Sequence, residues 1–429
     1  MKDFLSFLKT SYTAFHAANN ICEILDENGF VKINESDKWN LKENGKYYFT
    51  RNSSSVIAFT IPANLDELSY NITAAHLDSP TFKLKPNFKM VKSKYEILNT
   101  EVYGGAIYNT WFDRPLNIAG RVMVKNGNKI ETKLFSFDKA ICMIPNLPIH
   151  YNRDVNNGVS LNPQVDTLPI VSMNLEDDLL DLMAKKLNCK KDDILSFDLY
   201  LALLDRGCYA GINDEFIMAP QIDNLECSHT LIDALISSKN SKSVNVCALF
   251  DNEEIGSRTR QGAASTILST ALERIAISLN KSKEEYLCAL ANSFFVSADN
   301  AQGYNPAHPE KFDPTNDCHI NGGIVIKNAA RGSYTTDGAS LAYFKMLCDL
   351  VGAKYQLNTN RSNIPGGSTL GAISLSSVSI PSIDIGLAQL AMHSAYETAG
   401  SYDIAELKKA IVKFYNTHLK SVSDGTFEI

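Results

Sequence analysis

The sequence predicts an α/β protein, with a mixed sheet flanked by helices, into which a β-rich block is inserted. Its length of 429 residues exceeds a single hydrophobic core of ordinary size, which favours two domains. Residues 82–216 form short alternating runs punctuated by Gly and Asn, a pattern typical of β-strands. Beyond Pro220, helical and strand patterns alternate, as in α/β folds. We therefore expect residues 1–93 and 214–429 to form one α/β domain, and residues 94–213 to form the insert.

The predicted elements follow from the spacing of apolar residues. Residues 3–25 carry apolar side chains at helical spacing, with Gly29 as the stop, and His16 within them is interpreted as structural. Strands are predicted at residues 47–49, 55–61 and 70–75, then at 95–102, 116–125, 129–137 and 196–204 in the insert, and at 244–250 and 294–298 beyond it. Further helices are predicted at residues 230–237, 265–279 and 339–351.

Composition and charge exclude several classes of function. A formal net charge of -7 and a pI near 5.7 offer no basic field for nucleic acid or for an anionic membrane surface. No apolar stretch approaches the ~20 residues of a membrane helix, and the start lacks a signal-peptide core, so a cytoplasmic protein is expected. Nine cysteines without a C-x-x-C pair indicate reduced thiols. Any bound metal must then be held by oxygen and imidazole.

Three predicted strands end in acidic or imidazole side chains. The run N-I-T-A-A-H-L-D ends in His76 and Asp78, N-V-C-A-L-F-D-N-E-E ends in Glu253 and Glu254, and F-F-V-S-A-D ends in Asp299. Ligands of open α/β sheets bind outside the carboxyl ends of the strands, so these groups are expected to meet in one place. Taken singly, each is more often an ordinary turn, surface or core residue. Only their coincidence favours a site.

Two further residues complete a set of metal ligands: Asp223, in A-P-Q-I-D-N-L, and His393, in Q-L-A-M-H-S. Two imidazoles and three carboxylates, one of them shared, predict two divalent metal ions about 3.5–4 Å apart around a common water, which is a hydrolase site. Zinc is expected first, with manganese and cobalt as alternatives. Adjacent glutamates cannot point identically, so Glu254 is assigned to the metal and Glu253 to proton transfer. Asp78 could orient a ligand imidazole.

The chain resembles the aspartyl aminopeptidases and vacuolar aminopeptidase I, exopeptidases with a co-catalytic metal pair. The resemblance spans nearly the whole chain and rests on A-H-L-D-S-P (75–80), F-D-N-E-E-I-G-S (250–257), S-A-D (297–299), N-G-G-I-V-I-K ending at Lys327, G-G-S-T-L-G (366–371) and Q-L-A-M-H-S (389–394). It implies a zinc-exopeptidase-like catalytic domain. The metal ligands that it implies are His76, Asp223, Glu254, Asp299 and His393. It also implies that Asp223 bridges the ions and that Glu253 is the base, in agreement with the assignments made from the residues.

The resemblance further implies an assembly and a substrate pocket. The family's inserted β domain makes dimer contacts and helps to build a tetrahedral dodecamer, and His150, in I-P-N-L-P-I-H, matches a residue that enters the neighbouring subunit's site. Lys327 resembles a substrate-pocket lysine that favours an acidic or polar first residue, with a solvated strand-end lysine as the alternative. Gly366, Gly367 and Thr369 are expected to let backbone approach the substrate.

Three positions depart from the family's pattern. After Asp299 the family usually reads D-x-A-H-A-x-H-P, whereas this chain has Gln302 and Asn305 in place of the two histidines. Gln221 replaces an arginine that is common two positions before the bridging aspartate. These departures spare every expected ligand and bear on substrate preference and rate.

The leading prediction is a metal-dependent aminopeptidase that releases the N-terminal residue of peptides, with a preference for Asp or Glu. The metals bind the scissile carbonyl and a water, and Glu253 moves the proton of that water to the departing amide nitrogen. One alternative, motivated by Gln302 and Asn305, is a catalytically silent assembly or peptide-binding paralogue. Another is a carboxypeptidase or amidohydrolase on a related dimetal scaffold, which would act on N-terminally blocked substrates.

Overall fold

A computed structural model describes residues 3–429 except residues 175, 177, 240 and 241; these four, together with Met1 and Lys2, belong to the predicted domains but lie outside the described residues. The helices are α1 (Phe4–Leu8), α2 (Ala14–Glu27), α3 (Leu179–Leu187), α4 (Ile222–Ser237), α5 (Ile267–Ser278), α6 (Lys283–Ala291), α7 (Gly338–Val351), α8 (Leu370–Ser374) and α9 (Asp403–Tyr415). The strands up to the end of the insert are β1 (Val31–Lys32), β2 (Lys46–Arg51), β3 (Ser55–Thr60), β4 (Tyr70–His76), β5 (Thr81–Lys92), β6 (Tyr95–Tyr103), β7 (Leu116–Asn126), β8 (Lys129–Ser136), β9 (Ile170–Ser172) and β10 (Ile194–Leu203). The later strands are β11 (Cys208–Ala210), β12 (Phe216–Ala219), β13 (Val244–Phe250), β14 (Phe294–Ala298), β15 (Ala301–Gln302), β16 (Ile324–Asn328), β17 (Tyr355–Thr359), β18 (Ser382–Gly386), β19 (Ala388–Leu390), β20 (Glu397–Gly400), β21 (Lys420–Ser423) and β22 (Thr426–Glu428).

The largest sheet has the strand order β1-β2-β3-β13-β4-β14-β18-β16-β17. Its centre is parallel, because β4 pairs in parallel with both β13 and β14, and β14 pairs in parallel with β18. The strands β3 and β16 run antiparallel to their inner neighbours. Every residue of β4 and β13 is buried, as expected for strands covered on both faces. Separate apolar clusters cover the two faces, so the predicted mixed sheet flanked by helices is confirmed.

The β-rich insert is also confirmed, with its own six-stranded antiparallel sheet in the order β8-β7-β10-β5-β6-β9 and its own apolar core. It begins earlier than predicted. The strand β5 pairs with β6 across a short turn, so a limit at residue 93 would divide a hairpin. A register shift between Leu84 and Lys89, around Pro86, interrupts the alternation of β5. That irregularity hid a twelve-residue strand from pattern analysis.

Two predicted helices have different limits in the structure. The helix expected at residues 3–25 is divided into α1 and α2, and Arg206 donates to the carbonyl oxygens of Leu8 and Ser11 at the break, at 3.0 and 2.9 Å. The helix α4 begins at Ile222 and not at residue 230, because its first turns bury polar side chains that interrupt the apolar pattern. Among the described residues, no helix is both long and apolar enough to cross a bilayer.

Candidate metal centre

Three neighbouring strands of the central sheet deliver side chains to one edge. His76 is the last residue of β4 and lies opposite Phe250, the last residue of β13. Asp299 follows β14 directly, on the other side of β4. Glu253 and Glu254 begin a helical turn two residues after β13. The carboxyl ends of adjacent parallel strands therefore gather the groups that the sequence places at strand ends.

The remaining two predicted ligands come from less regular backbone. Asp223 lies in the first turn of α4 with non-helical φ and ψ of -78° and 109°, and the peptide bond that follows it is cis. The next residue, Asn224, donates to the carbonyl oxygen of Ala298 at 2.8 Å, which ties this segment to the end of β14. His393 lies in the loop between β19 and β20, with a positive φ of 68°.

The five predicted ligands form two groups that share Asp223. The Nε2 atom of His76 lies 3.5 Å from Oδ1 of Asp223 and 3.4 Å from Oδ1 of Asp299. The Nε2 atom of His393 lies 3.6 Å from Oδ2 of Asp223 and 3.4 Å from Oε2 of Glu254. These separations exceed ordinary hydrogen bonds. They match the edges of a tetrahedron with metal–ligand bonds of ~2.0–2.2 Å, which are roughly 3.3–3.6 Å long.

The charges of the cluster also fit a divalent cation. Among the described residues, Oδ1 of Asp223 and Oε1 of Glu254 are buried without a hydrogen-bond partner. Burial raises the pKa of Glu253 to about 8 and that of Glu254 well above its ordinary value, with Asp223 among the causes for both. Burial opposes the charged form of His76, but its contacts with Asp223 and Asp299 raise its pKa well above the usual range. His76, Asp223 and Glu254 also place one donor atom each within 4.8 Å of one another.

Asp78 fixes the turn that carries the two glutamates. Its Oδ1 accepts from the backbone N–H of Glu253 and its Oδ2 from that of Glu254, both at 3.1 Å. The closest partner of His76 Nδ1 is the backbone carbonyl of Asp78 at 3.0 Å, whereas the carboxylate lies 3.5 Å away. The expectation that Asp78 orients the imidazole therefore falls mainly on its backbone, and its carboxylate holds the glutamate turn.

Glu397 was missed by the sequence reasoning. Its Oε1 accepts from the backbone N–H of His393 at 2.7 Å, and its Oε2 accepts from that of Asp223 at 3.1 Å. This buried carboxylate joins the two irregular segments of the centre. The only signal in the sequence is an acidic residue four positions after His393, at the start of the short strand β20.

A cavity of about 170 Å³ opens onto these groups. Lys327 lines it, and its buried Nζ donates to the carbonyl oxygen of Asn300 at 2.7 Å and lies 3.4 Å from Oδ2 of Asp299. Burial opposes the charge of Lys327, but Asp299 holds its pKa above the ordinary value. The solvated-lysine interpretation is therefore wrong. Further lining residues are Tyr334, Asn358, Asn360, Gly366, Gly367, Ser368, Thr369 and Met392.

The glycine-rich loop is anchored on Asp384, another residue that the sequence reasoning missed. Thr369 Oγ1 donates to Oδ1 of Asp384 at 2.7 Å, so its hydroxyl is already bound within the protein. Asp384 also accepts from the backbone N–H of Thr335 at 2.6 Å. A Cβ atom at Gly366 would lie 2.0 Å from Asn360 Nδ2, so a larger residue there would displace the side chain of Asn360.

The other singled-out residues divide between the cavity and the rest of the molecule. Gln302 lines the cavity, whereas Asn305 caps a turn by accepting from the backbone N–H of Ala307 at 3.0 Å. Gln221 accepts from Nη2 of the buried Arg206 at 2.6 Å. His150 lies in an exposed part of the insert and is absent from the described lining of the cavity.

A mixed α/β sheet with two imidazoles and several carboxylates at its carboxyl edge defines the class of protein as a metal-dependent hydrolase. Residues 7–415 match the model of the family described as "Aminopeptidase I zinc metalloprotease (M18)". The chain belongs to this family and is a metallo-aminopeptidase.

Individual relatives support the same assignment. The chain is 46% identical over 424 residues to the "Probable M18 family aminopeptidase 2" of Clostridium acetobutylicum, covering 97% of this chain and 98% of that protein. It is 35% identical to the protein of the same description from Pseudomonas aeruginosa, with 96% of each covered. It also resembles the solved structure of the S. cerevisiae mApe1 dodecamer, with a TM-score of 0.83 and 28% identity over 96% of this chain and 95% of that one.

Proposed function

We propose that this chain removes the N-terminal residue of peptides through two divalent ions bound on either side of Asp223. His76 and Asp299 would hold one ion with Oδ1 of Asp223, and His393 and Glu254 would hold the other with Oδ2. The observation that carries the proposal is this division, because each carboxylate oxygen of Asp223 faces a different imidazole at 3.5 or 3.6 Å. Zinc is the first expectation, because the family model describes zinc metalloproteases.

When bound, the ions supply Lewis acidity that polarises a carbonyl and lowers the pKa of a water. Glu253 would be the general base, because its side chain lines the cavity while its backbone is held by Asp78. It accepts a proton as the water oxygen bonds to the scissile carbonyl carbon. It then delivers that proton to the amide nitrogen as the carbon–nitrogen bond breaks.

The specificity proposal concerns the first residue of the substrate. Lys327 is the one lysine or arginine among the described residues that line the cavity. A buried ammonium favours a carboxylate side chain, so an Asp or Glu residue is the proposed preference. Because Lys327 already shares its charge with Asp299, we expect a discrimination of about tenfold between Asp and Asn substrates, equivalent to roughly 1.4 kcal/mol.

The assembly proposal concerns the insert, for which we infer a role in oligomerisation. Around His150 the insert exposes Leu147, Ile149 and Tyr151, which are 64%, 50% and 83% exposed. Apolar side chains grouped in this way are typical of a protein interface. We propose a homo-oligomer, a dodecamer by likeness to mApe1, in which His150 enters the site of a neighbouring subunit. A cytoplasmic location remains a prediction from the sequence. The nine cysteines are free thiols in the structure, as the sequence predicts.

The test is hydrolysis of a panel of dipeptides and longer peptides that begin with Asp, Glu, Asn or Leu, each also prepared with an acetylated N-terminus. The protein is assayed as purified, after chelation and after restoration of zinc, manganese or cobalt. We expect release of the first residue from free peptides only, its loss on chelation and its return with metal. Cleavage of the acetylated peptides at an equal rate would overturn the aminopeptidase mechanism in favour of an amidohydrolase.

A further inference from the structure

One segment of the inserted domain reaches the metal centre directly. Residues 103–110, here called the insert strap, leave the end of β6 and pass beside the loop that carries His393. The backbone N–H of Ile107 donates to the carbonyl oxygen of His393 at 3.0 Å. Thr110 Oγ1 accepts from the backbone N–H of Ala395 at 2.9 Å. The strap and the His393 loop are thus joined along their length.

The first residue of the strap, Tyr103, donates a hydrogen bond to Asp78. Its hydroxyl lies 2.7 Å from Oδ2 of Asp78 and 2.8 Å from Nδ2 of Asn252. The amide nitrogen of Asn252 can only donate, and its Oδ1 accepts from Thr259 and Gln261. The hydroxyl oxygen of Tyr103 must therefore accept a hydrogen bond from Asn252, and its O–H group donates a hydrogen bond to Asp78.

Asp78 links Tyr103 to the turn that carries Glu253 and Glu254. Its carboxylate holds the backbone N–H groups of Glu253 and Glu254, as described above. Without Tyr103, Oδ2 of Asp78 would keep only the longer bond from Glu254. The hydroxyl of Tyr103 therefore acts on the position of the turn through Asp78 and does not touch the predicted ligands itself.

The next two residues of the strap are glycines that lie against the His393 half of the centre. A Cβ atom at Gly104, which has a φ of 73°, would lie 3.1 Å from the Cβ atom of Glu254. A Cβ atom at Gly105 would lie 3.2 Å from Nδ1 of His393. The carbonyl oxygen of Gly105 lies 3.1 Å from the same Nδ1. An N–H donated there fixes the tautomer and leaves Nε2 free to face Asp223 and Glu254.

We propose that residues 103–105 are a positioning element by which the inserted domain sets the metal affinity of the half-site formed by His393 and Glu254. The inference rests on the ligand assignment under the proposed function. Gly104 and Gly105 lie directly against Glu254 and His393, whereas the element reaches His76 only through Asp78, whose backbone carbonyl lies 3.0 Å from His76 Nδ1, and Asp299 is held by the end of β14. The insert thus contributes more to binding of the ion beside His393 than to binding of the ion beside His76.

The experiment is a zinc titration of the metal-free full-length protein in competition with a chelating indicator, which resolves the two binding steps. The variants are Tyr103→Phe and Gly105→Ala. Their matched controls are Tyr108→Phe, in the same strap with its ring against Phe82, and Gly338→Ala, where an added Cβ meets open space. We expect both strap variants to weaken one of the two steps by about 10–100-fold, as outer partners of metal ligands do. The controls should match the parent.

Two other measurements separate the possible failures. The variants His76→Ala and His393→Ala show which step belongs to which half, and retention of both steps in these variants would refute the ligand assignment itself. If the ligands are right but Tyr103→Phe and Gly105→Ala both bind two zinc ions with parental affinities, the strap is not a positioning element. Equal weakening of both steps would refute the selectivity for one half-site. Thermal unfolding of the metal-free variants, compared with their controls, shows whether they fold.

Discussion

The two halves of the metal centre are built from different kinds of structure. On one side, His76 ends a fully buried strand and Asp299 follows its parallel neighbour, and the side chain of His76 is 1% exposed. On the other side, His393 sits in a hairpin loop with positive φ, and its side chain is 31% exposed. Its backbone depends on Glu397 and its ring on Gly105 of the insert.

The two halves differ in what holds their ligand side chains in position. A strand in the middle of a nine-stranded sheet is held by its ladders and by apolar layers on both faces. A loop must be held by specific polar contacts, and each contact can be lost singly. We therefore expect the ion beside His393 to bind less tightly and to exchange first.

Replacing Asp223 should abolish the contrast, because this residue belongs to both halves. In Asp223→Ala we expect loss of both ions and a fall in turnover of more than about 10⁴-fold, since metal activation is removed together with a shared ligand. Elemental analysis of the purified protein and peptide hydrolysis measure the two effects. Asp233→Ala is the control on the same helix, where Asp233 pairs with Lys408 at 2.8 Å. An Asp223→Ala protein that keeps two ions would contradict the shared role.

Replacing Glu253 should leave both halves intact and remove the chemistry. In Glu253→Gln we expect turnover to fall by about 10²–10⁴-fold, the usual contribution of a general base, with metal content unchanged. Turnover of peptides is measured alongside the metal content of the same sample. Near-normal turnover at full occupancy would exclude Glu253 as the base.

Replacing one imidazole at a time should reveal the asymmetry directly. In His393→Ala we expect one ion to remain bound with nearly parental affinity, whereas His76→Ala should lose the tighter step. Loss of a direct ligand should cost more than about 100-fold in affinity, because even outer partners are worth 10–100-fold. Stepwise removal of zinc by a chelator, followed in both variants and in the parent, measures the order of release. Release of the ion beside His76 first in the parent would reverse the assignment of the weaker half.

Glu397 should behave as a support of the loop half. The two carboxylate oxygens of Glu397 accept from the backbone N–H groups of His393 and Asp223. In Glu397→Gln one of these oxygens becomes an NH₂ group, which cannot accept, so one of the two hydrogen bonds is lost. We expect about tenfold weaker binding at the His393 step, at the low end of the range for outer partners of ligands. The control is Glu273→Gln, whose carboxylate pairs with Lys283 on the surface. Parental zinc binding in Glu397→Gln would show that the loop does not depend on this contact.

The same contrast explains which features could be predicted from the sequence. The strands at residues 244–250 and 294–298 were predicted with the limits found in the structure, because a fully apolar run bounded by polar residues encodes a buried strand locally. Asp299 is therefore visible as the polar residue after one of these strands, and His76 as the polar residue after the strand predicted at residues 70–75. Asp223 and His393 do not follow a predicted strand, so they were added only as the groups needed to complete a ligand set, and the resemblance to a family implied the same two residues.

The features that were missed depend on contacts between distant segments. Glu397, Tyr103 and Asp384 are ordinary residues in sequence, and only their partners, many positions away, give them a role. The early start of the insert was hidden for a different reason, since the irregular register of β5 breaks the alternation on which strand prediction depends. The spacing of apolar residues along the sequence indicates which face of one helix or strand is buried. It carries no information about which loops contact one another in the folded protein.

The smallest predicted effect concerns Lys327, which contacts the sheet-built half. Its Nζ lies 3.4 Å from Asp299 and 2.7 Å from the carbonyl oxygen of Asn300, so its charge serves the protein as well as the substrate. In Lys327→Met we expect the ratio of kcat/KM for Asp over Asn substrates to fall by about tenfold. The affinity of the His76 step for zinc should rise slightly, because a cation beside a predicted ligand is removed. If the substrate ratio stays constant while zinc binding changes, Lys327 supports Asp299 alone, and the amide side chains of Asn358 and Asn360 become the next residues to test for specificity.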